Sequence, residues 1–175
     1  MTEIYVKGLS DLQTFLDKLP AKMEANIIRG ALRKGSKDIM DAVKSNVPIG
    51  PPSGEGKQLY KLYEGALRDS IHISSRISRV NGKITARIVA GGKNKGTGAD
   101  VFYAHFLEYG VRPHSLTNGG KGDINHPGIA PRPFMRPALD AQATNAVLSA
   151  GQYIKQRLAN KNGLDTSDIS VEAGG

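Results

Sequence analysis

The chain has 175 residues, with no cysteine, no tryptophan, 21 glycines and 9 prolines, and its 24 Lys and Arg against 16 Asp and Glu leave a formal net charge of +8. The length suits one domain whose core needs no staple. The missing cysteine excludes disulfides, thiolate metal sites and cysteine nucleophiles. No window approaches the ~20 apolar residues of a membrane helix, and Met1 to Gly8 carries neither an apolar nor a basic leader, so a soluble product of a cytoplasm is expected. The positive excess is uneven. Positions 51–100 hold nine basic and four acidic residues, whereas positions 1–50 hold eight and six. Such a basic stretch fits contact with phosphate, a solvated surface, or the carboxylates of a neighbouring subunit.

Glu3 to Lys7 alternates and is rich in β-formers, which predicts a short strand ending at Gly8. Ser10 follows as the expected N-cap of a short helix carrying Leu12, Phe15, Leu16 and Leu19. Pro20 is placed to start the next helix, where its missing N–H costs nothing. From Ala21 to Asn46 the residues Met23, Ile27, Ile28, Ala31, Leu32, Gly35, Ile39, Ala42 and Val43 recur at spacings of three and four. This is the strongest helix in the chain. Lys22, Arg29, Arg33, Lys37 and Lys44 fall largely outside its apolar stripe. Gly35 lies on the stripe, where glycine costs about 1 kcal/mol against alanine; simple tolerance and close approach of another backbone both fit. Pro48 stops the helix, and residues 49–64 form a long loop around Gly50-Pro-Pro-Ser-Gly-Glu-Gly-Lys57.

Ser70 to Gly91 has the pattern of a β-hairpin turning at Asn81-Gly82, a type I′ pair. A two-residue turn there sets Val80 against Lys83, Ser78 against Thr85 and Arg76 against Arg87. Ile71, Ile73 and Ile77 then share the core face with Ile84, Ala86, Ile88 and Ala90. Two directly opposed arginines repel, which makes Arg76 and Arg87 the candidate anion-facing pair, toward DNA or toward acidic protein, with two side chains splayed into water as the alternative. Gly91 to Gly98 is a Gly/Lys loop. Phe102 to Tyr109 reads as a short helix ended by Gly110, and residues 111–132 as a second long loop. Pro133-Phe-Met-Arg-Pro137 leads into a last helix striped by Leu139, Ala143, Ala146, Val147, Ala150, Ile154 and Leu158. Residues 1–160 are thus expected to form a single domain and residues 161–175 a flexible tail.

No catalytic, metal-binding or cofactor-binding pattern stands out. Gly54-Glu-Gly-Lys57 fails as a phosphate loop, because Gln58 stands where Ser or Thr is needed and Pro51 where Gly is needed. His105 and Glu108 are three apart on a helix, as metal ligands can be, but nothing completes the set. His114 and His126 lie in one loop and are able to converge. Glu108, at a helix end, suits acceptance of backbone N–H groups from the loop that follows, or pairing with Arg112 or Arg132. No cofactor is expected, and no enzyme.

The order of segments carries a resemblance. Pro48 ends the long helix. Gly65, Leu67, Ser70 and Ile71 open the hairpin. Tyr103, Ala104, Glu108, Tyr109 and Gly110 form the short helix, and Pro133, Phe134, Pro137, Ala138 and Leu139 start the last one. From about Gly8 to Leu158 the chain resembles the tailed-bacteriophage neck and tail-component family named after gene product ten of phage HK-ninety-seven. It departs in the longer connection from Pro48 to Gly65, in the long loop after Gly110, and in Val111 where Thr is common. The resemblance implies a non-enzymatic virion protein of the neck or upper tail of a siphophage-type particle, assembled in the host cytoplasm. It implies a homo-oligomeric ring, expected to be a hexamer, that completes the tail and joins it to the head. Its partners would be head-closure or stopper, tail-terminator and tail-tube proteins, with non-specific contact to genomic DNA in the channel and none to membrane. Alternatives are a tail terminator capping the tube and a free, non-specific nucleic-acid-binding protein. The motif residues read as scaffold, with Phe134 and Leu139 anchoring the last helix and Pro137 starting it.

The expected fold is α+β: a small antiparallel sheet, including the 70–91 hairpin, packed by the long N-terminal and C-terminal helices.

Overall fold

The structure, a computed structural model, describes residues 6–50, 62–77, 83–93, 98–117, 123–162, 166–167 and 169–173. The architecture is mixed α+β, with two long helices and four two-stranded antiparallel sheets among the described residues. In chain order the elements are β1 (Val6–Lys7), α1 (Leu9–Leu16), α2 (Ala21–Asn46), α3 (Ala66–Ser70), β2 (His72–Ile77), β3 (Ile84–Val89), β4 (Gly92–Lys93), β5 (Asp100–Val101), α4 (Ala104–Tyr109), β6 (His114–Thr117), β7 (Asp123–His126), α5 (Met135–Asn162) and β8 (Glu172–Ala173). Packing divides the chain into two compact units.

The first unit comprises Met1–Ser45, His72–Val89 and Ala138–Gly175. Its helix α2 spans the range that the apolar periodicity predicts, and the Pro20 carbonyl accepts the N–H of Met23 at 2.7 Å and of Glu24 at 3.1 Å at its start. Gly35 is a close-approach site. A Cβ there would overlap the Ala146 carbonyl of α5, and one on Gly30 would overlap the Tyr153 ring. The two helices are also tied by the Ser149 hydroxyl, which donates to Asp38 Oδ2 at 2.6 Å. Leu12, Leu16, Leu158 and Ile169 form a buried cluster, with Phe15, Ile27, Ile28 and Ile154 packed against it. Burying each such side chain contributes about 1.5–3 kcal/mol.

Outside the hairpin, two expectations are corrected in this unit. Ser10 is not the cap of α1: it lies inside the helix, and its carbonyl accepts the Thr14 hydroxyl at 3.1 Å. Gly8 opens the helix at φ 82, where a Cβ would overlap the Ser170 carbonyl, so the chain enters left-handed at a position only glycine suits. The chain end is not an unpacked tail over its described residues. Ile169 is 5% exposed, Thr166 is buried, and β8 pairs antiparallel with β1.

The β2–β3 hairpin keeps the expected faces but not the expected register. Ile73 opposes Ile88 and Ile77 opposes Ile84, while Arg76 opposes Thr85 and Ser74 opposes Arg87. The arginines are therefore diagonal, not directly opposite. The register has moved by two residues, which leaves every side chain on its face, so the apolar pattern cannot detect the shift. Only the turn distinguishes the two registers, and Asn81-Gly82 lies outside the described residues.

The second unit comprises Asn46–Ile71 and Ala90–Pro137. Val47, Leu67, Ile71, Val101, Ala104 and Phe134 are buried in it. The heart of the 49–64 loop lies outside the described residues. The segment 111–132, expected as a loop, contains a hairpin in which His114 opposes His126 and Leu116 opposes Ile124. Below it, Val111 and Ile129 exchange N–H···O bonds of 2.9 Å in both directions. Strands of four mostly polar residues carry too little apolar alternation to announce themselves in a Gly- and Asn-rich segment.

Candidate functional site

The motif residues of the second unit converge where α4 meets the first turn of α5. Helix α4 opens at Tyr103, whose carbonyl accepts the N–H of Phe106 at 3.0 Å, and closes at Gly110, with φ 73. A Cβ on Gly110 would overlap the Ile129 carbonyl, so this end requires glycine for both conformation and space. The backbone N–H of Arg132 then donates to the Leu107 carbonyl at 2.7 Å, drawing the segment 130–134 back across α4.

Glu108 closes the joint. Its Oε2 accepts the N–H of Phe134 at 2.8 Å and of Met135 at 3.0 Å, and its Oε1 accepts the N–H of Arg136 at 3.2 Å. These are orphan donors at the start of α5. Pro133 and Pro137 have no N–H, so the three donors between them are the set that one carboxylate can serve. Burial pushes the Glu108 carboxyl up. The N–H groups of Met135, Phe134 and Arg136, with the Arg136 charge, pull it down and prevail, so it sits below its ordinary value. The expected N–H acceptance by Glu108 is therefore present, but the donors come from 26 to 28 residues onward rather than from the adjacent loop. Neither Arg112 nor Arg132 is its ion-pair partner.

The remaining motif residues sort by burial. Phe134 is fully buried, and Ala138 is also buried, whereas Leu139 is 50% exposed. Leu139 therefore does not anchor the last helix as expected; on a helix its neighbour Ala138 points 100° away and takes the inward position. Pro137 is the third residue of α5 rather than its first, still within the turn that lacks internal N–H partners. Gly65 opens α3 at φ 82. The Ser70 hydroxyl donates to the Leu67 carbonyl at 2.6 Å and accepts the Gly91 N–H at 2.9 Å, and Leu67 and Ile71 are buried beside it. Tyr103 is half-buried, which pushes its phenol up. Tyr109 is 81% exposed, and Phe102 is exposed while making edge-to-face contacts with Tyr103 and Phe106. Pro48 and Pro133 are exposed.

His114 and His126 do converge, their rings stacked with centroids 5.0 Å apart. Each is tied to backbone: His114 Nδ1 lies 2.9 Å from the Arg112 carbonyl, and His126 Nδ1 accepts the Gly128 N–H at 3.0 Å. His105 is exposed against Phe106, and its supposed co-ligand Glu108 is fully engaged by backbone. Among the described residues no group of three or more His, Asp or Glu is placed to hold a metal ion, and no helix is long and apolar enough to cross a membrane. Arg76 and Arg87 are both exposed. Sequence reasoning missed the three donors on Glu108, although the flanking prolines were a usable signal.

A family model described as "Bacteriophage HK97-gp10, putative tail-component" matches residues 10–110. No curated protein and no solved structure matches the chain.

Proposed function

The chain belongs to the HK97-gp10-like bacteriophage tail-component family, and on that premise we propose that it is a structural, non-enzymatic virion protein that completes a siphophage-type tail and joins it to the head. The observation that carries the reading is the family match over residues 10–110. The motif chemistry supports it. Glu108 caps a helix, Phe134 fills a core, Gly110 ends a helix and Ser70 bridges two backbone segments, all of which favours a scaffold role for these motif side chains. In this reading copies of the chain form a ring, expected to be sixfold, whose stable contacts each bury more than about 1,000 Å². Exposed Tyr109 and Phe102 offer apolar surface for such contacts. Head-closure or stopper proteins lie on one side of the ring, terminator or tube proteins on the other, and Arg76 and Arg87 meet genomic DNA or acidic neighbours.

Deletion of the gene followed by electron microscopy of the lysate tests the role. The expected result is full heads beside separate tails of normal length. Overlong tails would assign the chain to tube termination instead, and normal joined particles would overturn both.

A further inference from the structure

We propose that the solvent face of α2 binds the phosphate backbone of duplex DNA without reading its sequence. Helix α2 holds six basic and three acidic residues. Lys22, Arg29, Arg33 and Lys37 are all exposed and follow one another at separations of seven, four and four. At 100° and 1.5 Å per residue they fall within an arc of about 80° along about 22 Å of helix. This arc lies opposite the face that Gly35 presses on α5.

The acidic residues of α2 do not neutralise the stripe. Glu24 projects about 200° from Lys22. Asp38 accepts the Ser149 hydroxyl, and only Asp41 reaches the stripe, pairing with Lys37. Among the described residues no carboxylate pairs with Lys22, Arg29 or Arg33. Arg29 donates to Asn26 Oδ1 at 3.0 Å on the same face, which orients its guanidinium and leaves its other donors. Like charges one turn apart on a helix destabilise it by a few tenths of a kcal/mol per pair. The stripe thus has an unfavourable term that a bound polyanion removes. Two guanidinium forks one turn apart suit phosphate oxygens. A straight array of about 22 Å spans about six phosphates of one duplex strand at 3.4 Å of axis each, enough for three or four contacts.

This inference rests on α2 alone and not on the tail-completion reading. Its test is fluorescence anisotropy of the full chain with a labelled 20-bp duplex of arbitrary sequence between 50 and 200 mM KCl. Three or four phosphate contacts give a slope of log K on log salt of about −3, a loss of about 60-fold over that range. Arg29→Glu with Arg33→Glu is expected to lower the slope magnitude by about 2 and to weaken binding at least tenfold at 50 mM. Arg29→Gln with Arg33→Gln, which introduces no repulsion, is expected to lower the slope equally. Circular dichroism confirms that each variant is folded. Arg76→Glu with Arg87→Glu is expected to lower the slope by less than either α2 variant does. No binding to the duplex, a slope indifferent to both α2 variants, or a slope lost only in the hairpin variant overturns the proposal. So does equal affinity for labelled poly-glutamate, which would mark the face as a dock for acidic protein.

Discussion

Replacing Glu108 tests the joint between α4 and α5 most directly. In Glu108→Ala the three N–H groups of Phe134, Met135 and Arg136 lose their acceptor. Phe134 is fully buried, so its donor is left without water, at a cost of about 1–3 kcal/mol. Met135 is half-buried and Arg136 exposed, so water partly replaces the carboxylate at a cost nearer 0.5–1 kcal/mol each, as for a lost cap. Relief of the buried charge offsets some of this. The expected net loss is about 2–4 kcal/mol, a fall in Tm of about 5–15 °C at this chain length. Glu108→Gln keeps one acceptor oxygen and is expected to lose about 1–2 kcal/mol. The pH dependence separates a charged cap from packing. The folded carboxyl lies below its unfolded value of about 4.3, so its contribution is complete above that value and is lost as pH falls through the folded pKa. The stability gap between wild type and Glu108→Gln is thus expected to hold constant at neutral pH and to close on acidification, as read by urea unfolding followed by circular dichroism. A Glu108→Gln protein as stable as wild type at neutral pH, or a gap that widens in acid, would refute the capping role.

Other substitutions separate positions that the sequence treats alike. Phe134→Ala is expected to lose about 3–5 kcal/mol, whereas Leu139→Ala, five residues on and half exposed, stays within about 0.5 kcal/mol; thermal melts decide between them. Ile169→Ala is expected to lose about 2–4 kcal/mol by urea titration, while a true tail residue would lose nothing. Gly35→Val forces α2 from the Ala146 carbonyl and is expected to lose about 3 kcal/mol, with Gly35→Ala losing less because alanine favours the helix by about 1 kcal/mol.

Much of the fold was legible because strong periodicity survives tertiary packing. Helix α2 begins and ends where its stripe and its flanking Pro20 and Pro48 place it. The ordered motifs around Tyr103 to Gly110 and Pro133 to Leu139 carried the family resemblance, which the match over residues 10–110 now supports for the part it covers. The weaker signals misled. A polar hairpin at 114–126 reads as a loop, and Ser10 reads as a cap because its residue type suits one, while the chain itself turns two residues earlier at Gly8. The uneven charge drew attention to positions 51–100. The exposed basic stripe on α2 lies in a stretch whose basic and acidic residues nearly balance, and balance along a chain says nothing about which face each charge occupies.

The sequence by itself therefore determined the local features: helix extent, β-face alternation, the need for glycine at Gly110, and the absence of cysteine chemistry. Each of these follows from residues a few positions apart. Tertiary structure decided the rest. The hairpin register turns on a two-residue shift that the pleat cannot see. The role of Glu108 depends on donors 26 to 28 residues away. The closing segment is packed because β1 and the Leu12–Leu158 cluster receive it. These contacts are long-range, and their partners are chosen by what remains buried once the helices have packed.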